Sequence, residues 1–218
     1  MVLILKFFAP ENKQIYIGFS YYLIPGCKVM FMEKKANPAP LGLMGFGMTT
    51  VLLNLHNAGF FALGSMILSM GIFYGGVAQI IAGILEFRNG NTFGMTAFTS
   101  YGIFWLSLVF LIAIPAMGWA QASSPAAMGW YLLMWGLFTF LMFFGTLKAN
   151  RALQFVFGSL IILFLLLAAS EFTGSAALKT VAGYEGVICG LSAVYLAMAE
   201  VINEAQGRTV LPVCPAKK

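Results

Sequence analysis

The chain has 218 residues, 61% of them hydrophobic and 9% charged, with a mean hydropathy of +0.90. So few charges cannot cover a soluble domain of this size, so the chain reads as a polytopic membrane protein. The formal charge of +5 comes from basic residues at segment ends and chain termini, a mark of membrane topology rather than of nucleic-acid binding.

Residues 1–31 are patchily apolar, broken by Pro10, Glu11, Lys13, Pro25 and Lys28. Their apolar runs are too short to cross a bilayer and lack the pattern of a signal peptide. Met32, followed by Glu33-Lys34-Lys35, reads as a natural start. Residues 1–31 are therefore expected to be a dispensable extension, and residues 32–218 a single membrane domain.

Asn37-Pro38-Ala39-Pro40 is expected to be non-helical, because each proline disfavours the α region for the residue before it. From Leu41 the pattern turns helical, with Pro40 just ahead of the first turn. Six spanning segments are predicted, at 41–55, 65–85, 97–119, 127–147, 152–169 and 181–201. Each approaches the roughly 20 apolar residues a bilayer requires, the first being short. Brief connections predict antiparallel neighbours. Under this count Lys6, Lys13, Lys28, Lys34, Lys35, Arg88, Lys148, Arg151, Arg208, Lys217 and Lys218 fall on one side, and Lys179 alone on the other. The excess of positive charge puts both termini in the cytoplasm. Trp119 and Trp130 then flank an outer loop and fit an interfacial aromatic belt.

Polar residues inside apolar segments are the candidates for function. In the first segment Phe46, Thr50 and Asn54 recur every fourth residue, with Thr49 close by and Leu43, Val51 and Leu55 opposite. Such a face costs free energy in hydrocarbon unless it meets water, a ligand or another helix. Simple interhelical bonding is the plainer role for each residue taken singly. Thr99, Ser100, Gln154 and Ser159 extend the set, and Asn37 stands at the proline-rich entry, where unpaired backbone donors attract anions.

No catalytic constellation is visible, since there is no Asp, His56 is alone, and Cys27, Cys189 and Cys214 lack CxxC spacing. No metal or cofactor is expected. Glu86, Glu200 and Glu204 read as interfacial ion-pair partners. Glu185 is expected at the start of the sixth helix, where the positive helix end favours a carboxylate. A weak internal period starts segments one, three and five near Leu41, Ala97 and Leu153, each with a bulky residue inside: Phe46, Tyr101 and Leu160. Such a repeat would bring three large side chains to a shared axis. The alternative is that any hydrophobic helices resemble one another.

Asn37-Pro38-Ala39-Pro40-Leu41-Gly42-Leu43 is followed by Gly90-Asn91-Thr92-Phe93-Gly94, Thr99-Ser100-Tyr101-Gly102, Phe143-Phe144-Gly145-Thr146-Leu147-Lys148 and Gly207-Arg208-Thr209-Val210-Leu211-Pro212. This ordered set resembles the acetate uptake transporter family from residue 37 to 212. The resemblance implies an all-α membrane protein of six transmembrane helices, both termini cytoplasmic, forming a hexamer with one pore per protomer. It implies a constriction at the matching positions Phe46, Tyr101 and Leu160, with Ala193 at a pore-proximal position. The implied activity is uptake of acetate and other small carboxylates, succinate included, across the inner membrane. Proton symport and a facilitative anion channel both remain open as mechanisms. The implied partners are acetate or succinate, protons, membrane lipids and further copies of the chain, without nucleic acid. A membrane scaffold without transport is the rival, and the polar faces inside several helices argue against it.

Overall fold

The computed structural model describes residues 35–215, together with the backbone of residues 23–24 and 27–28. The latter form a short antiparallel ladder, Leu23 opposite Lys28 and Ile24 opposite Cys27. The chain divides into one compact unit, residues 1–37, and a second, residues 38–218. Apart from that ladder, the expectation for residues 1–31 lies outside the described residues.

The second unit is built from six helices: α1 (Ala39–Asn57), α2 (Ser65–Arg88), α3 (Thr92–Ala116), α4 (Pro125–Thr146), α5 (Arg151–Thr173) and α6 (Ala176–Gln206). Side chains at the turns define their ends. Asn91, Ser124, Asn150 and Ser175 each accept a hydrogen bond from the backbone N–H three residues on, satisfying a donor that the first helical turn leaves open. Gly174 and Gly207 take left-handed backbone angles just past α5 and α6, as helix C-termini favour.

Several expected boundaries are corrected. α1 begins at Ala39, not Leu41, with Pro40 in its first turn, where the missing N–H costs no intrahelical bond. α3 begins five residues before the expected 97, at its Asn91 cap, and ends at Ala116. α6 begins at Ala176, behind Ser175, and not at 181. Glu185 is therefore in the third turn of α6 rather than at its positive end, about 14 Å along the helix. Its Oε2 is buried without a hydrogen-bond partner. α2 carries a π-helical stretch, Gly71–Ala78, which the apolar pattern does not announce.

Five helices, α2 to α6, are long and apolar enough to cross a membrane. α1 has 19 residues, but Gly42, Gly45, Gly47, Thr49, Thr50, Asn54, His56 and Asn57 lower its hydropathy. It is nonetheless buried along its length, lying against α6, with α2 on another side. The crossing with α6 is close. A Cβ added at Gly47 would come 2.7 Å from the Gly190 carbonyl oxygen, and one at Gly190 would come 2.7 Å from that of Gly47. Backbone proximity of this kind supplies association energy where lipid gives no hydrophobic drive.

The remaining neighbours follow in a row, with α3 against α2, α2 against α1, α1 against α6, α6 against α5 and α5 against α4. α3 and α4 stand at its two ends. Aromatic rings bridge them: Phe104 with Trp135 at 5.1 Å, Tyr101 with Phe138 at 5.5 Å and Phe104 stacked on Tyr131 at 5.9 Å between centroids.

Candidate functional site

Tyr101 is at the centre of the bundle. α3 projects it into a cluster in which Phe46 from α1 lies 6.1 Å away, Phe157 from α5 6.1 Å, and Trp135 from α4 6.2 Å, centroid to centroid. Leu160 from α5 and Ala193 from α6 belong to the same buried cluster. Phe46, Tyr101 and Leu160 are 7%, 4% and 3% exposed, so residues from three odd-numbered helices share one interior. Tilted and edge-on ring pairs of this kind each add stabilisation beyond the area they bury. A tyrosine hydroxyl in such a place needs a partner. Tyr101 Oη donates to Thr139 Oγ1 at 2.9 Å, and Thr139 Oγ1 donates to the Trp135 carbonyl at 2.7 Å.

A second polar group surrounds the π-helical part of α2. Gln79 is fully buried; its Nε2 donates to the Gly75 carbonyl at 2.7 Å, while its Oε1 is buried without a partner. Trp105 Nε1 and Thr50 Oγ1 are likewise buried and unpartnered. Thr49 Oγ1 reaches from α1 to the Met70 carbonyl at 3.4 Å, just ahead of the π-helical stretch. A Cβ placed on Gly75 would meet both Trp105 and the Thr49 methyl, so these residues converge on one point. Each unpaired buried polar atom costs about 1–3 kcal/mol, and such orphans mark places where a polar guest gains the most.

The other sequence candidates are distributed unevenly. Asn54 is 1% exposed, and its bonds are local: Nδ2 donates to Thr50 O at 2.9 Å, and Oδ1 accepts from Asn57 Nδ2 at 3.0 Å. It faces α6 through Gly186, where an added Cβ would overlap the Asn54 amide. Leu43, expected opposite the polar face of α1, is also buried, because α1 is enclosed on more than one side. Thr99 Oγ1 packs against Gly83 of α2. Ser100 lines a groove at the α3–α4 seam with Met134, Trp135 and Phe138. Ser159 Oγ donates to the Val156 carbonyl at 3.1 Å, toward which the buried Cys189 thiol also points. Gln154 is in the first turn of α5, its Nε2 donating to the Thr146 and Leu147 carbonyls as a cap on α4. Asn37 is exposed and belongs to the first compact unit.

Thr139 and Gln79 are the residues the sequence reading missed. Each leaves a signal, Thr139 as the one hydroxyl in Gly136–Phe144 and Gln79 as the one amide in Gly71–Leu85. Among the described residues no group of His, Cys, Asp and Glu could hold a metal ion. The buried charged residue Glu86 is at the α2–α3 turn, its Oε2 accepting from Asn91 Nδ2 at 2.8 Å.

The chain is 63% identical over 180 residues to the succinate-acetate/proton symporter SatP of Escherichia coli K12, an alignment covering 83% of this chain and 96% of that one. It is 39% identical over 211 residues to the ammonia transport outward protein 2 of Saccharomyces cerevisiae, covering 88% and 74%. The solved structure of the bacterial acetate channel SatP superposes with a TM-score of 0.82 at 63% identity, over 83% of this chain and 99% of that one. The sequence profile of the GPR1/FUN34/yaaH family matches residues 19–217, and the chain belongs to that family.

Proposed function

We propose that the protein carries acetate and other small carboxylates, succinate among them, across the bacterial inner membrane. The path runs through each protomer and is narrowest at Phe46, Tyr101 and Leu160. The observation that carries this reading is the burial of those three side chains, from α1, α3 and α5, in one cluster, in a chain 63% identical to a protein named a succinate-acetate/proton symporter. In this reading all six helices cross the membrane, both termini are cytoplasmic, and residues 32–218 form the transporting domain of a hexamer with one pore per protomer. Thr49, Thr50, Asn54, Thr99, Ser100, Ser159 and Ala193 line or support the path, with Asn37 and Gln154 toward its ends.

A passing carboxyl group meets hydroxyls and amides rather than fixed cations, which gives weak sites suited to passage. At the constriction it must shed water, a step whose cost rises with charge. Acetate, compact and able to cross protonated, is therefore favoured over longer or doubly charged acids. Protein purified into liposomes tests this by uptake of labelled acetate, succinate and methylammonium, with an internal dye reporting proton entry. Acetate entry stoichiometric with protons supports symport or passage of the acid, and acetate entry without protons supports an anion channel. Absence of carboxylate entry overturns the reading in favour of a scaffold, or of an ammonium path if methylammonium enters.

A further inference from the structure

The hydrogen bonds at Tyr101 have a fixed direction. A threonine hydroxyl carries one proton, and Thr139 gives it to the Trp135 carbonyl at 2.7 Å. Thr139 therefore meets Tyr101 with lone pairs, and the phenol proton must point at Thr139 across the 2.9 Å contact. Both donors are used up. What Tyr101 keeps is acceptor capacity on its oxygen. Thr139 is fully buried and Tyr101 nearly so, which keeps bulk water from competing for either bond. The walls around the phenol come from Phe46 of α1, Trp135 and Phe138 of α4 and Phe157 of α5, none of which titrates. The titratable group beside it is the Cys189 thiol of α6, with Glu185 one turn away on the same helix.

We propose that Thr139 is a positioning residue that holds the Tyr101 phenol proton within the protein, so that Tyr101 offers a passing carboxyl group an acceptor but no donor and favours the protonated acid. This rests on the reading of Tyr101 as part of the constriction. A protonated acid donates its O–H to Tyr101 Oη. A carboxylate only accepts, finds the Tyr101 proton already committed to Thr139, and gains no hydrogen bond from the phenol to offset its desolvation. Acetic acid needs one proton to become neutral and succinic acid two, so the same arrangement ranks the two substrates.

The test is labelled acetate uptake into liposomes at acidic and neutral pH, at constant total acetate. Thr139→Val keeps the shape and deletes both bonds, leaving the phenol proton free for a carboxylate oxygen. Its neutral-to-acidic uptake ratio is expected to rise on the order of tenfold, the weight of about one hydrogen bond to a charged group. Thr139→Ser keeps both bonds and is expected to retain the wild-type profile. In a Tyr101→Phe background, Thr139→Val should leave the profile unchanged, because no phenol proton remains. A purely structural Thr139 would alter the amount of folded protein and not the ratio.

If Thr139→Val fails to fold, Thr139→Cys, similar in size but a weak hydrogen-bonding group, should shift the ratio the same way by less. A wild-type ratio in the folded Val or Cys variant overturns the proposal, as does an equal shift in the Tyr101→Phe background. Substrate range separates this from the underlying reading. Unchanged range in Leu160→Ala and Phe46→Ala removes the constriction itself, whereas an altered range there with a wild-type Thr139→Val ratio removes only the proton assignment.

Discussion

Leu160 occupies a position where size alone can be varied. It is 3% exposed in the cluster shared with Phe46 and Tyr101 and carries no polar atom to confuse the outcome. Leu160→Ala is expected to admit lactate while keeping acetate uptake within a few-fold of wild type, measured by labelled lactate entry and by competition against acetate. A sealed cavity at this site would cost about 2–5 kcal/mol of stability. A site open to a hydrated path should lose less, because water fills the space, so a small drop in Tm accompanying lactate entry marks the residue as lining the path. Phe46→Ala should widen substrate range in the same direction with a larger stability loss, since a whole packed ring is removed. Motif resemblance and the period of segments one, three and five both named these three side chains, and the structure buries them in one cluster. Thr139 was not legible. A lone hydroxyl in an apolar run can bond its own helix, face lipid or meet another helix, and only the packing of α3 against α4 decides that it meets Tyr101.

At the scale of helices, the α1–α6 crossing governs how closely the interior can pack. Gly186 is where α6 passes the Asn54 amide, and a Cβ there would approach the Asn54 side chain within 2.2 to 2.5 Å. Gly186→Ala therefore forces either the amide or the helix to move. The expected cost is about 1–3 kcal/mol, seen as a lower Tm in detergent. Asn54→Ala in the Gly186→Ala background should recover part of that loss by emptying the contested space. If Gly186→Ala is neutral, the crossing is looser than the structure shows. The helices themselves were largely readable from hydropathy, but their starts were not. Asn91 and Ser175 fix the starts of α3 and α6 through single side-chain bonds to backbone N–H groups, about five residues before the apolar runs begin. The same blind spot hid the setting of Glu185, which belongs to the third turn once α6 begins at Ala176. The π-helical part of α2 was also invisible, because glycines at 71, 75 and 76 permit it and contacts with Trp105, Val109 and Leu106 of α3 accompany it.

For the whole molecule, the proposal that all six helices cross the membrane is tested most sharply at α1. It is the one helix of the six not counted among those long and apolar enough to span, yet its burial against α6 and α2 ties it to helices that are. A helix enclosed by protein need not be lipid-soluble, since its polar groups face neighbours rather than hydrocarbon. The basic residues orient α2 to α6, with Arg88, Lys148, Arg151 and Arg208 at one set of helix ends and Lys179 at the other, and leave α1 to be tested directly. Single cysteines on a background lacking the native three give a direct measurement. Ala36, Ala62, Ala122 and Ala149 are exposed and lie outside the helices, before α1, between α1 and α2, between α3 and α4, and between α4 and α5. With six crossings, an impermeant maleimide added to intact spheroplasts should label Ala62→Cys and Ala122→Cys. Ala36→Cys and Ala149→Cys should react only after the membrane is permeabilised. With five crossings, Ala36→Cys would label together with Ala62→Cys, because α1 would return to the side it started from. That result would move Phe46 out of a transmembrane path, and the constriction would then have to be built from α3 and α5 alone.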